Sequence, residues 1–153
     1  MHGCCGEKAL NDHSMSEVFR EIFLIGLGAA VMFASGPALA VYTQRKAGVK
    51  LSLATQVFIF GSYLLFLVLL GSLAFLLFGR DGALLEKANG FVILALIQLI
   101  LAFGLLSLGW SLLEAYQHLS RNVYLNRIGK TAVGLALLQF GFAFLLGLMA
   151  FSK

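Results

Sequence analysis

The chain has 153 residues, of which 60% are hydrophobic and 12% charged, and it carries a net charge of +4 at neutral pH. Soluble domains carry about 25% charged residues, and a soluble core of this size cannot hide so many apolar side chains. The positive charge does not point to nucleic acid either, because the basic residues sit at the ends of apolar runs, where lysine and arginine meet lipid headgroups.

Four apolar stretches, about Ile22–Gln44, Leu51–Gly79, Ala88–Leu113 and Thr131–Ser152, contain no charged side chain. Each has the ~20 residues that a helix needs to cross ~30 Å of hydrocarbon. In lipid the backbone must satisfy its own hydrogen bonds, so spanning segments are helices or closed barrels. Barrel strands alternate apolar with polar residues, and the run Leu64–Leu70 does not alternate. The sequence therefore predicts an all-α integral membrane protein. A polar tail over 1–16 precedes a single four-helix transmembrane domain over 17–153. Its spans lie at about 20–44, 51–79, 90–119 and 130–152 and form an up-down bundle of two antiparallel hairpins.

In the tail, Ser16 is placed to cap a helix beginning at Glu17, with Glu17 and Glu21 near its positive end. Cys4 and Cys5 stand close to His2 but lack the spacing of a metal site, and no metal is expected. Arg20 followed by an apolar run and Gly36-Pro37-Ala38-Leu39-Ala40 resembles a secretory signal ending in A-x-A; the first span is read here as a retained membrane helix. Its proline, Pro37, follows Gly36 and cannot donate to the carbonyl of Phe33, which predicts a kink or hinge at Gly36 and Pro37. Gly26, Ala30, Ala34 and Ala38 recur at every fourth residue, a small-residue row suited to close helix packing. Ala143 and Gly147 repeat that spacing in span four.

Arg45–Lys50 is a short connection and predicts a tight hairpin between spans one and two. Asp81-Gly82 and Asn89-Gly90 are turn signals, and Ala83–Ala88 between them reads as a single helical turn. Span three carries Ser107, Ser111, Glu114, His118 and Arg121 at steps of four and three, which aligns them as a polar stripe on one helical face. Within it, Glu114 and His118 can hydrogen-bond. The stripe reads as an ion-paired helix end, with Glu114 held by Arg121, Arg45 or Arg127. Two other readings are a polar pathway into the bundle and, through His118, an axial ligand to haem or chlorin. No second histidine lies in any span, and no cofactor is expected. Gln98 and Gln139 fall at similar depths when each span is counted from the membrane surface, which predicts a midplane hydrogen bond between spans three and four.

The chain carries no phosphate-binding glycine loop, no H-E-x-x-H and no nucleophile elbow, and no catalytic residue is expected. Ion-driven transporters place ionisable groups deep in the membrane, and here none lies deeper than Glu114. The expected role is a non-catalytic accessory or scaffold subunit of a larger membrane complex, packing through its small-residue faces. The alternatives are a small oligomeric channel or transporter using the stripe, and a haem- or pigment-binding subunit. Its expected partners are membrane lipids and other membrane subunits or copies of itself, with no nucleic acid. Arg45, Lys46, Lys50, Arg121, Arg127 and Lys130 lie on one side of the spans, against Lys8, Arg20, Arg80, Lys87 and Lys153 on the other. That bias places both termini on the non-cytoplasmic side.

Overall fold

The computed structural model describes residues 5–78 and 89–152, and the turn expected at Ala83–Ala88 falls outside them. Four helices make up nearly all of the described chain: α1 (Cys5–Ala47), α2 (Leu53–Phe78), α3 (Gly90–His118) and α4 (Val123–Phe151). Each contains a stretch long and apolar enough to cross a membrane, and no strand occurs among the described residues. The protein is an all-α, multi-pass membrane protein.

Local chemistry sets most helix ends. Gly48 follows α1 with φ +63, the left-handed conformation that ends a helix at little cost when the residue is glycine. Ser52 starts α2 by accepting the Thr55 N–H at 3.2 Å. Asn89 and Asn122 open α3 and α4 by accepting the N–H groups of Phe91 (3.2 Å) and Tyr124 (3.0 Å). Two ends differ from the sequence expectation. α1 does not start at a Ser16 cap but runs unbroken from Cys5, so the polar segment 5–16 extends the first helix. α4 starts at Val123, so Arg127 and Lys130 lie in its first turns rather than in a connection.

Among the described residues, helix α3 touches each of the other three helices, α1 and α2 touch each other, and α4 packs on α3 alone. The reason is the size of the residues that α3 buries. Six of its eight buried positions are Ala102, Gly104, Ser107, Gly109, Ser111 and Ala115. Lipid tails are as apolar as leucine, so helices in a bilayer gain little from hiding apolar surface and much from close approach. A Cβ added at Gly36 of α1 would stand 3.1 Å from the Leu108 Cα, and one at Gly109 would stand 3.0 Å from the Gly129 carbonyl oxygen of α4. At both crossings backbone meets backbone. Gly104 forms a socket in which the Phe33 ring sits, since a Cβ there would lie 2.7 Å from a ring carbon. Phe33 meets Phe66 edge-on at 5.2 Å, and Tyr63 stacks on Phe66 at 5.8 Å. With Ile100 these rings form the midplane core. A second cluster of Ala40, Leu51 and Ile59, with Trp110 against it, lies nearer the basic end.

The same contacts fix the registers. α1 runs parallel to α3 with Gly36 beside Leu108, and α4 runs antiparallel with Gly129 beside Gly109. Counting from these pairs at 1.5 Å per residue, Arg20 and Lys130 are roughly 24 Å apart along the bundle axis, a little less than the ~30 Å of a hydrocarbon layer. The part of α1 from Cys5 to Arg20 then extends roughly 20 Å beyond it.

Replacing Gly109 or Gly129 by alanine is expected to destabilise the protein by about 1–3 kcal/mol, because the added methyl has no space to enter. Gly134 and Gly141 have nothing within 4 Å of an added Cβ. Alanine there should be neutral or stabilising by up to about 1 kcal/mol through helix propensity. Thermal unfolding of the four variants in one detergent checks the contrast, and equal effects at both pairs would contradict the close crossing.

Candidate functional site

The polar side chains inside the spans are the natural place to look for chemistry. Ser107 and Ser111 are fully buried in α3. The Ser107 hydroxyl crosses to α2 and donates to the Ile59 carbonyl at 2.9 Å. Ser111 donates to the Ser107 carbonyl one turn back at 2.8 Å. A second crossing bond joins the Tyr63 hydroxyl of α2 to the Ala30 carbonyl of α1 at 3.2 Å. Thr43, also buried, donates to the Leu39 carbonyl at 2.8 Å. Each of these hydroxyls is committed to a backbone carbonyl, which secures helices and lines no passage.

Further along the stripe, Glu114 is largely buried and sits 3.3 Å from Nε2 of His118, in the last turn of α3. This is the ion pair among the described residues; Arg45, Arg121 and Arg127 do not reach Glu114. The helix stops at His118, with Leu119 as its cap, so Arg121 lies in the connection and not on the helical face shared by the other four residues. That removes Arg121 from the stripe. His118 is exposed where α3 ends, and one of its nitrogens is taken by Glu114. Among the described residues no group of three histidine, cysteine, aspartate or glutamate side chains could hold a metal ion.

The expected hydrogen bond between Gln98 and Gln139 is not made. The Gln139 amide oxygen is buried without a partner. Counting from Gly109 beside Gly129 puts Gln139 level with Leu99, and counting from Phe103 against Phe140 at 5.0 Å puts it level with Gly104, so the two amides are roughly 2–9 Å apart along the axis at 1.5 Å per residue. The expected depths assume that span four starts near 130, whereas α4 begins at Val123. Among the described residues Trp110 also has a buried, unpartnered polar atom, its indole Nε1; its ring packs on Phe58 at 4.9 Å.

The small-residue row of α1 divides between partners. Gly26 faces Leu70 of α2, since an added Cβ would stand 3.5 Å from its methyl. Ala30 lies in the packed region and accepts the Tyr63 bond. Ala34 is half-buried, and Ala38 is exposed. A four-residue step exceeds the 3.6-residue turn by about 40°, so such a row winds off the packed face. In α4, Ala143 is buried against α3, while Gly147 has nothing within 4 Å of an added Cβ. Gly36 and Pro37 are both buried inside the continuous α1, with Gly36 pressed against Ser107 and Leu108. Gly36 was expected only as part of a kink or hinge with Pro37, and its crossing with α3 was not foreseen. The signal available was the run of small residues in the second half of α3.

Six of the eleven basic residues lie at one end: Arg45, Lys46, Lys50, Arg121, Arg127 and Lys130 are all exposed, and none makes an ion pair with a described residue. The Lys46 ammonium lies 5.4 Å from the centre of the Tyr42 ring. Comparison of the chain with protein-family models, with curated proteins and with solved structures gives no match.

Ser107→Ala is expected to cost about 0.6–1.7 kcal/mol, the range of a helix-crossing hydrogen bond in a membrane. Gln139→Leu should be neutral or stabilising, because it removes a buried acceptor that has no donor. A double-mutant cycle of Gln98→Ala and Gln139→Ala by unfolding in detergent should give a coupling near zero. A clear favourable coupling would restore the glutamine pair.

Proposed function

We propose that the protein is a non-catalytic accessory or scaffold subunit of a larger membrane complex. The observation that carries this reading is the use of its interior polar groups. The hydroxyls of Ser107, Ser111, Tyr63 and Thr43 are all bound to backbone carbonyls, and the ionisable pair Glu114–His118 lies at a helix end. A conduit needs polar groups turned toward a wet path, and a catalyst needs groups poised toward a substrate. Helix α4 adds support. It packs on α3 alone and leaves Leu137, Phe144 and Leu148, among others, uncovered, which is surface for lipid or a neighbouring subunit.

Purified in mild detergent from its own membrane, the chain should migrate as part of an assembly well above its 16.5 kDa mass. A monodisperse, folded monomer would sink the reading. Reconstituted in vesicles, wild type, Ser111→Ala and Glu114→Gln should all give background ion flux. A flux in wild type that Glu114→Gln alters would favour a conduit instead.

We further propose that the basic end faces the cytoplasm, which puts both termini on the other side. The count of six basic residues at that end against five at the other supports this. In intact cells a membrane-impermeant maleimide should then label Cys4 and Cys5; labelling only after permeabilisation reverses the orientation.

A further inference from the structure

Helix α4 is buried along one side, where Gly129, Ala132, Ala136 and Ala143 face α3. Arg127, Lys130, Gly134 and Gly141 follow one another at steps of three, four and seven. That spacing keeps them on one helical face, about half a turn from the buried positions, and all four are exposed. An added Cβ at Gly134 or Gly141 meets nothing within 4 Å, so the glycines leave a shallow channel along this face. By helical spacing Leu137 flanks it on one side and Leu138 on the other, both exposed. Gly141 lies roughly 16 Å from Lys130 at 1.5 Å per residue, about half of a ~30 Å hydrocarbon layer. Beyond it Leu145 and Leu148 fill the same face. The channel therefore belongs to one leaflet, the one at the basic end.

The charges at the head of the channel select its occupant. Arg127 and Lys130 stand on either side of it, and neither makes an ion pair with a described residue. Both connections at this end, 48–52 and 119–122, are described; they add Lys50 and Arg121 and no acid. The one described carboxylate at this end, Glu114, is held by His118 on α3. A second copy in the same orientation, meeting this face with its own, would set Arg127 and Lys130 against the same two cations. A partner helix would use the face through both leaflets, whereas the glycines open it in one. We propose that this face holds one phospholipid of net negative charge from the leaflet at the basic end. Its phosphate sits between Arg127 and Lys130, which donate charge-assisted hydrogen bonds to it, and an acyl chain lies in the channel. Phosphatidylcholine and phosphatidylethanolamine each add an ammonium that the two cations repel and that no carboxylate nearby is placed to receive. Phosphatidylglycerol carries a neutral glycerol in that position.

The test is native mass spectrometry of the full chain released from nanodiscs holding equal parts of phosphatidylglycerol, phosphatidylethanolamine and phosphatidylcholine. It needs only the purified chain, so it stands or falls apart from the subunit reading. Wild type should retain one phospholipid after mild delipidation, predominantly phosphatidylglycerol. Arg127→Gln with Lys130→Gln should lower that preference about tenfold. Arg45→Gln with Lys46→Gln, which removes two cations at the same end but on α1, should leave it unchanged. Gly141→Leu fills the channel and should reduce the total lipid retained, with phosphatidylglycerol still preferred in what remains. Should Gly141→Leu fail to fold, Gly134→Leu is measured in its place. No retained lipid in wild type, equal retention of the three lipids, or unchanged retention in the filled variant would overturn the proposal. Equal losses in the two cation variants would do so too, because the attraction would then belong to the whole basic end. So would a filled variant that changes oligomeric state while lipid retention stays constant, since a protein would then cover the face.

Discussion

Everything in this molecule depends on how closely other helices can approach α3. A bilayer supplies almost no hydrophobic force between helices, so attraction comes from short-range contact and from the few polar bonds made across the interface. Helix α3 meets that condition on several sides at once. Gly36 of α1 rests on its backbone at Leu108, Gly129 of α4 rests on it at Gly109, and Gly104 receives the Phe33 ring. The Ser107 hydroxyl fastens α2 at a depth where water cannot compete for the Ile59 carbonyl. A large side chain at any of these places would hold its neighbour away and weaken every contact along that crossing.

This arrangement also explains why the interior is chemically quiet. A hydroxyl in hydrocarbon is stable when it donates to a backbone carbonyl, and Ser107, Ser111 and Thr43 all do. Among the described residues, the Gln139 amide oxygen and the Trp110 indole N–H are buried without a partner. They lie on different sides of α3, one toward α4 and one in the cluster with Leu51 and Ile59. They do not converge on a shared site, and each costs stability without any compensating bond on the chain.

The four spans were legible because membrane thickness imposes a length and lipid imposes a composition, and both are written directly in residues. The ends were less so. Asn122 starts α4 with a side-chain bond to Tyr124, but an asparagine followed by Arg127 and Lys130 reads equally well as a polar connection. The polar segment before Ser16 lacks the apolar period that would mark a helix, yet α1 continues through it. The register between helices was not legible at all. It follows from contacts such as Gly109 with Gly129 and Phe103 with Phe140, and nothing local to Gln98 or Gln139 reveals that the two amides do not bond. For the same reason the socket of Phe33 on Gly104 joins residues far apart in sequence whose fit is a matter of shape. The ion pair of Glu114 with His118 could be read from spacing alone, since both belong to one helix.

The length of α1 has a mechanical meaning. A helix that crosses the hydrocarbon and continues to Cys5 without interruption transmits rotation and tilt from one environment to the other, as a flexible tether would not. Its outer portion works as a ruler, with the rise per residue setting the height above the lipid at which Cys5 is presented. Inserting or deleting a residue there changes both that height and the compass direction of everything beyond it, by about 100° for each residue. The distal end of α1 is therefore addressed in space by the same packing against α3 that holds the buried half in place.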